Sequence, residues 1–181
     1  MTSSWKQKAL NKSIFSSLSK SIQDPILCAI AAVRDYGIHT AEDFTKFVDN
    51  DLHYLSEPIV VPNMEQVSGV LRKPPQTAYI FGDYDVDGTF SSFMLKNILY
   101  SCGCKDIGFY IPHRKTDGYG LNEQSLANFI EKTKGKKVGL VVFLDCGTNS
   151  KKEIDMLLRA LDNPLVVVID HHIIQKDSFS D

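Results

Sequence analysis

The distribution of apolar residues predicts a sheet with helices on both faces. Four apolar runs have the length of strands and lack polar alternation; they lie at 77–82, 106–111, 138–144 and 165–169. Helical patterns fall between them, near 89–101, 122–132 and 150–161. Apolar strands joined by helices are typical of a parallel sheet that is buried on both faces. The sequence therefore predicts a doubly wound, mostly parallel α/β domain at 77–181.

The segment before this domain has a different pattern and is predicted to be helical. An apolar stripe runs through "DPILCAIAAVRDYG" (24–37). The stretch "TAEDFTKFVD" (40–49) opens with Thr40 and has Asp43 three residues later, which is the capping-box pattern of a helix N-terminus. We therefore expect a small helical leader at 1–76, with a domain boundary near residue 76.

Composition and charge narrow the class of protein. A chain of 181 residues is long enough for one domain with a small appendage, and its 43% hydrophobic and 23% charged residues are typical of a globular protein. The net charge of −2 means that any nucleic-acid surface must be local. No apolar run reaches the roughly 18 residues of a membrane span, and no signal-peptide core is present, so we expect a cytoplasmic protein without a membrane partner.

Three aspartates follow the first predicted strand at alternate positions. In "FGDYDVDGTF" (81–90) they are Asp83, Asp85 and Asp87. At an effective dielectric of about 20, two like charges about 4 Å apart repel by roughly 4 kcal/mol, so such a cluster implies a bound cation or open solvent. An EF-hand loop begins in the same way, but Met94 stands where that loop needs a bidentate Glu, and a strand precedes the triplet. The pattern therefore disfavours a calcium site of that type.

Two other predicted strands also end in polar residues. Asp145 follows the third strand, and Asp170, His171 and His172 follow the fourth. Because the carboxyl ends of parallel strands meet at one edge of the sheet, we expect these groups to converge with the aspartate triplet. Carboxylate and imidazole ligands without thiolates suit Mn²⁺ or Mg²⁺ better than zinc. Taken singly, Asp145 could be a helix N-cap and the His pair a surface turn, but three acidic strand ends together favour a metal site.

These motifs resemble a known family. "GDYDVDG", "LDCGT" and "IDHH" are similar to motifs I, II and III of the DHH phosphoesterase superfamily, and "YIPHRKTDGYGLN" (110–122) resembles a segment typical of its RecJ branch. The N-terminal leader also resembles that branch, so the resemblance covers most of the chain. The resemblance implies a hydrolase of phosphodiester bonds that uses two Mn²⁺ or Mg²⁺ ions. It further implies that this hydrolase is a 5′ to 3′ exonuclease, which degrades single-stranded DNA in DNA repair and recombination.

The resemblance also assigns roles to individual residues. It implies metal ligands at Asp83, Asp85, Asp87, Asp145 and His171. Asp145 would bridge the two ions, and His172 would contact the scissile phosphate, so that Asp145, His171 and His172 form the catalytic set.

Three further residues are candidates for substrate binding. Arg114 could hold phosphates and Tyr119 could stack on a base, as arginine and aromatic residues do in single-strand channels. Ser91 could help to bind phosphate near a helix N-terminus. Ordinary surface positions remain the alternative for each of them.

The chain departs from the family pattern in two respects. Phe81 stands where many members have a His, although RecJ-like sequences often have an apolar residue there. The fourth motif, with another metal-binding Asp, and the DHHA1 and OB-like domains are missing after the third motif. We therefore expect weak or no exonuclease activity from this chain alone, and a separate polypeptide that supplies the missing domains is a partner to consider.

Two alternatives to the exonuclease stay open at this point. One is a non-catalytic DHH-like module that binds nucleic acid or a protein partner. The other is a hydrolase of short oligonucleotides or of a small phosphodiester. Intact motifs I to III favour the enzyme, because a binding module has no physical need for mutually repelling aspartates.

Overall fold

The computed structural model describes residues 8–34, 37–49 and 51–175. The chain forms two compact units, Met1–Val60 and Val61–Asp181. The domain boundary near residue 76 stays a prediction. Parts of the predicted leader and the end of the predicted α/β domain lie outside the described residues; they are 1–7, 35–36, 50 and 176–181.

The first unit is helical, as the sequence predicts for this region. It contains helices α1 (Lys12–Leu18), α2 (Pro25–Val33) and α3 (Ala41–Val48), followed by two 3₁₀ turns at Leu52–Tyr54 and Pro58–Val60. The predicted capping box forms at α3: the Thr40 hydroxyl accepts from the Asp43 N–H, and the Asp43 carboxylate accepts from the Thr40 N–H. Buried side chains from α1 and α2, Leu18 and Cys28 among them, form a small core.

The second unit is a parallel α/β sheet with four strands. Its elements in chain order are α4 (Met64–Arg72), β1 (Thr77–Gly82), α5 (Val86–Ser101), β2 (Asp106–Tyr110), α6 (Glu123–Thr133), β3 (Leu140–Leu144), α7 (Lys151–Ala160) and β4 (Leu165–Ile169). The strand order is β2-β1-β3-β4, and all neighbours are parallel. This architecture confirms the predicted fold class. Within the described residues, no helix is both long enough and apolar enough to span a bilayer.

Each face of the sheet carries its own core. Tyr79 and Phe81 of β1 pack with side chains of α6 and α7, whereas Ala78 and Ile80 pack with side chains of α5. This alternation follows from the two-residue period of a strand. Both faces are apolar because both are covered by helices, which is why the strands read as continuous apolar runs.

Helix α5 does not bury the face that its apolar spacing suggests. Of the apolar residues that mark it as a helix, Leu99 is buried, while Phe90, Phe93, Met94 and Ile98 are between 48% and 67% exposed. The residues that face the sheet are Gly88, Ser92, Leu95 and Leu99. The helix is apolar around most of its circumference, so that periodicity alone cannot select the buried face.

Candidate metal centre

The register of the sheet brings three strand ends to one level. Gly82 of β1 pairs with Leu144 of β3, and Leu144 pairs with Ile169 of β4. The ladder continues one residue further, because the Asp83 N–H donates to the Leu144 carbonyl at 3.1 Å and the Asp145 N–H donates to the Ile169 carbonyl at 2.9 Å. The acidic residues that follow the strands therefore lie side by side, as the sequence predicts for parallel strands.

Asp83 carries a buried carboxylate at the end of β1. The residue is 1% exposed, and neither carboxylate oxygen has a partner among the described residues. Burial raises its pKa, and the negative charge of Asp85 adds to this; the N–H groups of Tyr84 and Gly120 offset part of the rise at geometries short of a hydrogen bond. Leaving such oxygens unpaired costs free energy, so this carboxyl needs a proton or a cation.

Helix α5 begins immediately beside Asp83. Its N-cap is Asp85, whose carboxylate accepts from the Gly88 N–H at 3.1 Å. A Cβ at Gly88 would lie 2.5 Å from the Asp83 nitrogen, so only glycine allows this close approach. The helix therefore starts three residues earlier than the predicted range of 89–101, and Gly88 belongs to its first turn. The apolar pattern missed this turn because Asp and Gly are weak helix formers.

Asp145 lies at the centre of the site in a strained conformation. Its φ of 59° is in the left-handed region, which Asp tolerates better than most residues. Burial raises the pKa of its carboxyl, and repulsion by Asp85 raises it further. The imidazole Nε2 of His171 lies 3.2 Å from its Oδ1. Helix α7 is preceded by Ser150, so the N-cap alternative for Asp145 is wrong.

Two overlapping groups of side chains could each hold an ion. In each group, the potential ligand atoms lie within 4.8 Å of one another: Asp83, Asp85 and Asp145 form one group, and Asp145, His171 and His172 form the other. Asp145 belongs to both groups. The predicted ligand Asp87 belongs to neither of these two groups, although its charge raises the pKa of Asp145. A donor set of carboxylates and imidazoles suits Mn²⁺ or Mg²⁺.

His172 is oriented by a residue that the predicted site omitted. Its Nδ1 lies 2.6 Å from Oδ1 of Asp170, a carboxylate that is only 2% exposed and also accepts from the Thr148 N–H at 3.0 Å. This hydrogen bond raises the pKa of His172. Despite its burial, the Asp170 carboxyl has its pKa lowered to about 2 by the hydrogen bonds from His172 and Thr148. An acidic residue directly before a His pair at a strand end is the signal that could have identified it.

The three substrate-binding candidates have different surroundings. Tyr119 is exposed, and its hydroxyl lies 3.1 Å from Nε2 of His172. The guanidinium of Arg114 lies 5.3 Å from the centre of the Tyr84 ring, which contacts the Tyr119 ring edge-on. Arg114 and Tyr119 thus belong to a row of side chains in contact, Arg114, Tyr84, Tyr119 and His172, in which the ring contacts are edge-on. Ser91 is separate from this row, because its hydroxyl donates to the Gly88 carbonyl of its own helix at 3.2 Å.

Comparisons with known proteins identify the same family as the sequence motifs. Residues 77–181 match the family model "DHH family, N-terminal domain". The single-stranded-DNA-specific exonuclease RecJ of Escherichia coli is 28% identical over 149 residues, and RecJ of Haemophilus influenzae is 30% identical over 132 residues. A crystal structure of exonuclease RecJ bound to manganese superposes with a TM-score of 0.55 at 24% identity, covering 68% of this chain and 31% of that one, and it supports the fold. The predicted resemblance to the RecJ branch is confirmed.

The relatives are much longer than this chain. The alignment with the Escherichia coli protein covers 82% of this chain but 24% of the relative, and that with the Haemophilus influenzae protein covers 71% and 22%. The chain therefore spans about a quarter of the length of the curated relatives that it matches.

Proposed function

The chain belongs to the DHH family, and we propose that its second unit is a metal-dependent phosphodiesterase that removes nucleotides from the 5′ end of single-stranded DNA. The observation that carries this proposal is the buried carboxylate of Asp83, which has no hydrogen-bond partner among the described residues and lies beside Asp85 and Asp145. Three carboxylates in such proximity are stable together only when a cation or protons neutralise them. A site of this kind is suited to a divalent metal.

The residues present fit a pair of Mn²⁺ or Mg²⁺ ions. In the proposed site, Asp83, Asp85 and Asp145 would hold one ion, and Asp145 and His171 would hold the other, so that Asp145 would serve both. The assignment of Asp87 as a further ligand rests on the family resemblance, because its carboxylate lies outside both groups. The relative named as bound to manganese supports the choice of a hard divalent cation.

When bound, such ions activate water and neutralise charge on phosphate oxygens. The side chains contribute positioning and a proton. Asp170 fixes the ring of His172 and raises its pKa, so that this imidazole keeps a proton at higher pH than an ordinary histidine. In the proposed reaction, His172 donates from Nε2 to an oxygen of the scissile phosphate.

Single-stranded DNA is the proposed substrate class for two reasons. The curated relatives are named as single-stranded-DNA-specific exonucleases. In this chain, Arg114 and the exposed ring of Tyr119 offer a cation for phosphate and a surface for an unstacked base. The 5′ to 3′ polarity and the contribution of Ser91 rest on the family resemblance.

Nucleotide release from end-labelled DNA tests this function directly. The chain is incubated with 5′-labelled single-stranded DNA in Mn²⁺, beside the variants Asp145→Asn and Asp155→Asn. We expect only slow release, in keeping with the weak activity predicted for this chain alone. Chelator and Asp145→Asn should abolish this release, whereas Asp155→Asn, a change on helix α7, should leave it intact. Mn²⁺ binding at the site without any hydrolysis would instead indicate a non-catalytic DHH module, and release that persists in Asp145→Asn would contradict the proposed site.

A further inference from the structure

The segment between β2 and α6, residues 111–122, is irregular but densely hydrogen-bonded. It carries Arg114 and Tyr119, two of the proposed DNA contacts. Long connections without secondary structure in a compact domain are commonly functional. The question is what holds Tyr119 at its place beside His172.

Asp117 ties the start of this segment to both neighbouring elements. One carboxylate oxygen accepts from the Tyr110 hydroxyl and from the His113 N–H, each at 2.9 Å. The other accepts from the Thr116 hydroxyl at 2.8 Å and from the Asn128 side chain at 3.2 Å. Tyr110 ends β2 and Asn128 lies in α6, so that one carboxylate links the strand, the loop and the helix. Four donors use the hydrogen-bonding capacity of a carboxylate almost fully.

Asn122 ties the end of the segment to α6. Its side-chain oxygen accepts from the N–H groups of Gln124 and Ser125 and so caps the helix. Its side-chain nitrogen donates to the carbonyl of Asp117 at 2.8 Å and to that of Tyr119 at 3.2 Å. The same side chain therefore caps the helix and holds the turn that presents Tyr119.

The turn between these two anchors has a conformation that few residues adopt. Gly118 and Gly120 flank Tyr119 with φ values of 79° and 58°, in the left-handed region. Without the anchoring hydrogen bonds, two flexible glycines would let Tyr119 sample many positions. In the structure its hydroxyl lies 3.1 Å from Nε2 of His172.

We infer that Asp117 and Asn122 are positioning residues that fix Tyr119 beside His172 and thereby set the affinity for single-stranded DNA, without contacting the DNA themselves. This inference rests on the proposed function, because it assumes that Tyr119 contacts the strand. Asn122 offers the cleaner test. The variant Asn122→Asp keeps the oxygen that caps α6, but it replaces the donor to the Asp117 and Tyr119 carbonyls by a second acceptor.

The experiment measures binding of a fluorescent, 5′-phosphorylated oligothymidylate to the full chain in chelator, so that no hydrolysis occurs. Tyr119→Ala should weaken binding about tenfold, the factor that corresponds to the loss of one stacked base. Asn122→Asp should weaken binding by a similar factor in the native background and by almost none in the Tyr119→Ala background, because residues that act through one another are not additive. Equal losses in both backgrounds would show that Asn122 acts independently of Tyr119 and would overturn the inference.

A second readout separates this inference from the proposed function. Nuclear Overhauser contacts between the Tyr84 and Tyr119 rings, whose centres lie 6.1 Å apart, report the position of Tyr119 without any DNA. They should be present in the native chain and lost in Asn122→Asp while the resonances of α6 stay in place. If Tyr119→Ala leaves DNA binding unchanged, the proposed substrate contact fails, whereas persistence of the ring contacts in Asn122→Asp contradicts the positioning role.

Discussion

Two carboxylates of the second unit, Asp83 and Asp117, have opposite surroundings. Asp83 is buried and neither of its oxygens has a partner among the described residues, whereas the partly exposed Asp117 accepts four hydrogen bonds. Burial raises the pKa of Asp83, and the hydrogen bond from the His113 N–H is the largest cause that lowers the pKa of Asp117. The contrast teaches that satisfied oxygens mark a carboxylate as part of the scaffold, while buried oxygens without partners mark one that is ready for a cation.

The two regions are the acidic strand ends around Asp83 and the loop around Asp117, and the largest expected difference between them is the effect of a substitution on metal affinity. Asp145→Asn removes the carboxylate that belongs to both groups of potential ligands, so Mn²⁺ affinity should fall by at least about 100-fold, beyond the range for residues that only support a ligand. Asp117→Asn should leave that affinity unchanged. Titration calorimetry of both variants measures the difference. A similar loss of affinity in both would remove the distinction between the two regions.

An added methyl group should lower the unfolding free energy more at Gly88, beside Asp83, than at Gly120, in the loop that contains Asp117. At Gly88 the new Cβ would lie 2.5 Å from the Asp83 backbone, which cannot move without displacing the site, so Gly88→Ala should cost about 1–3 kcal/mol of unfolding free energy. At Gly120 the nearest atom is 3.9 Å away, and the positive φ alone should cost about 1 kcal/mol. Urea unfolding compares the two. A smaller loss at Gly88 than at Gly120 would mean that the close approach to Asp83 is not tight.

Neutralising the two carboxylates should change stability in opposite directions. In chelator, Asp83→Asn removes an uncompensated charge and should raise the melting temperature by about 4 °C, which corresponds to about 1 kcal/mol for a domain of this size. In excess Mn²⁺ this advantage should disappear, because the native chain gains stability from binding the ion. Asp117→Asn should lower the melting temperature in both conditions. An equal shift of Asp83→Asn with and without Mn²⁺ would contradict its role as a ligand.

The same two variants, Asp83→Asn and Asp117→Asn, should also change how the melting temperature in chelator depends on pH. The pKa of Asp83 is raised in the folded state. The contribution of this carboxyl to stability is therefore fully present below its ordinary pKa of 3.8 and is lost as the pH rises through the pKa of the folded state. The pKa of Asp117 is lowered in the folded state. The contribution of this carboxyl to stability is therefore present above the ordinary pKa of 3.8 and is lost as the pH falls through the pKa of the folded state. Both variants should therefore match the native melting temperature in acid and diverge from it, with opposite signs, towards neutral pH. Shifts that do not depend on pH would exclude ionisation as their cause.

Much of the fold could be predicted from the sequence because its signals are local. The observed strands Thr77–Gly82 and Leu165–Ile169 have the predicted limits, and Leu140–Leu144 begins two residues after the predicted start at 138. Apolar runs of this length without polar alternation are typical of a sheet that is covered on both faces, so their position along the chain is informative by itself. The early start of α5 was not predictable in this way, because Asp87 and Gly88 carry no apolar signal.

The sequence predicted which residues form the candidate site more completely than how those residues are arranged. Alternating aspartates and strand-end positions identified Asp83, Asp85, Asp145 and His171, all of which lie in the two groups of potential ligands. The alternating pattern does not distinguish Asp87 from the other aspartates, although the Asp87 carboxylate lies outside those groups. The sequence prediction also passed over Asp170 as a partner of His172, because a hydrogen bond between side chains depends on rotamers that spacing does not specify.

The sequence by itself determined the parallel α/β fold and the edge of the sheet at which the acidic residues converge, since apolar strand runs and the polar residues that follow them are properties of short segments. Only the tertiary structure decided that Asp83 has no partner among the residues that the structure describes, that Asp145 is shared between two groups, and that α5 turns Leu95 and Leu99 to the sheet. Burial and hydrogen-bond pairing depend on how segments far apart in the chain pack together. The pairing of β3 with both β1 and β4 brings Asp83, Asp145 and His171 to one edge of the sheet, although they lie far apart in the chain.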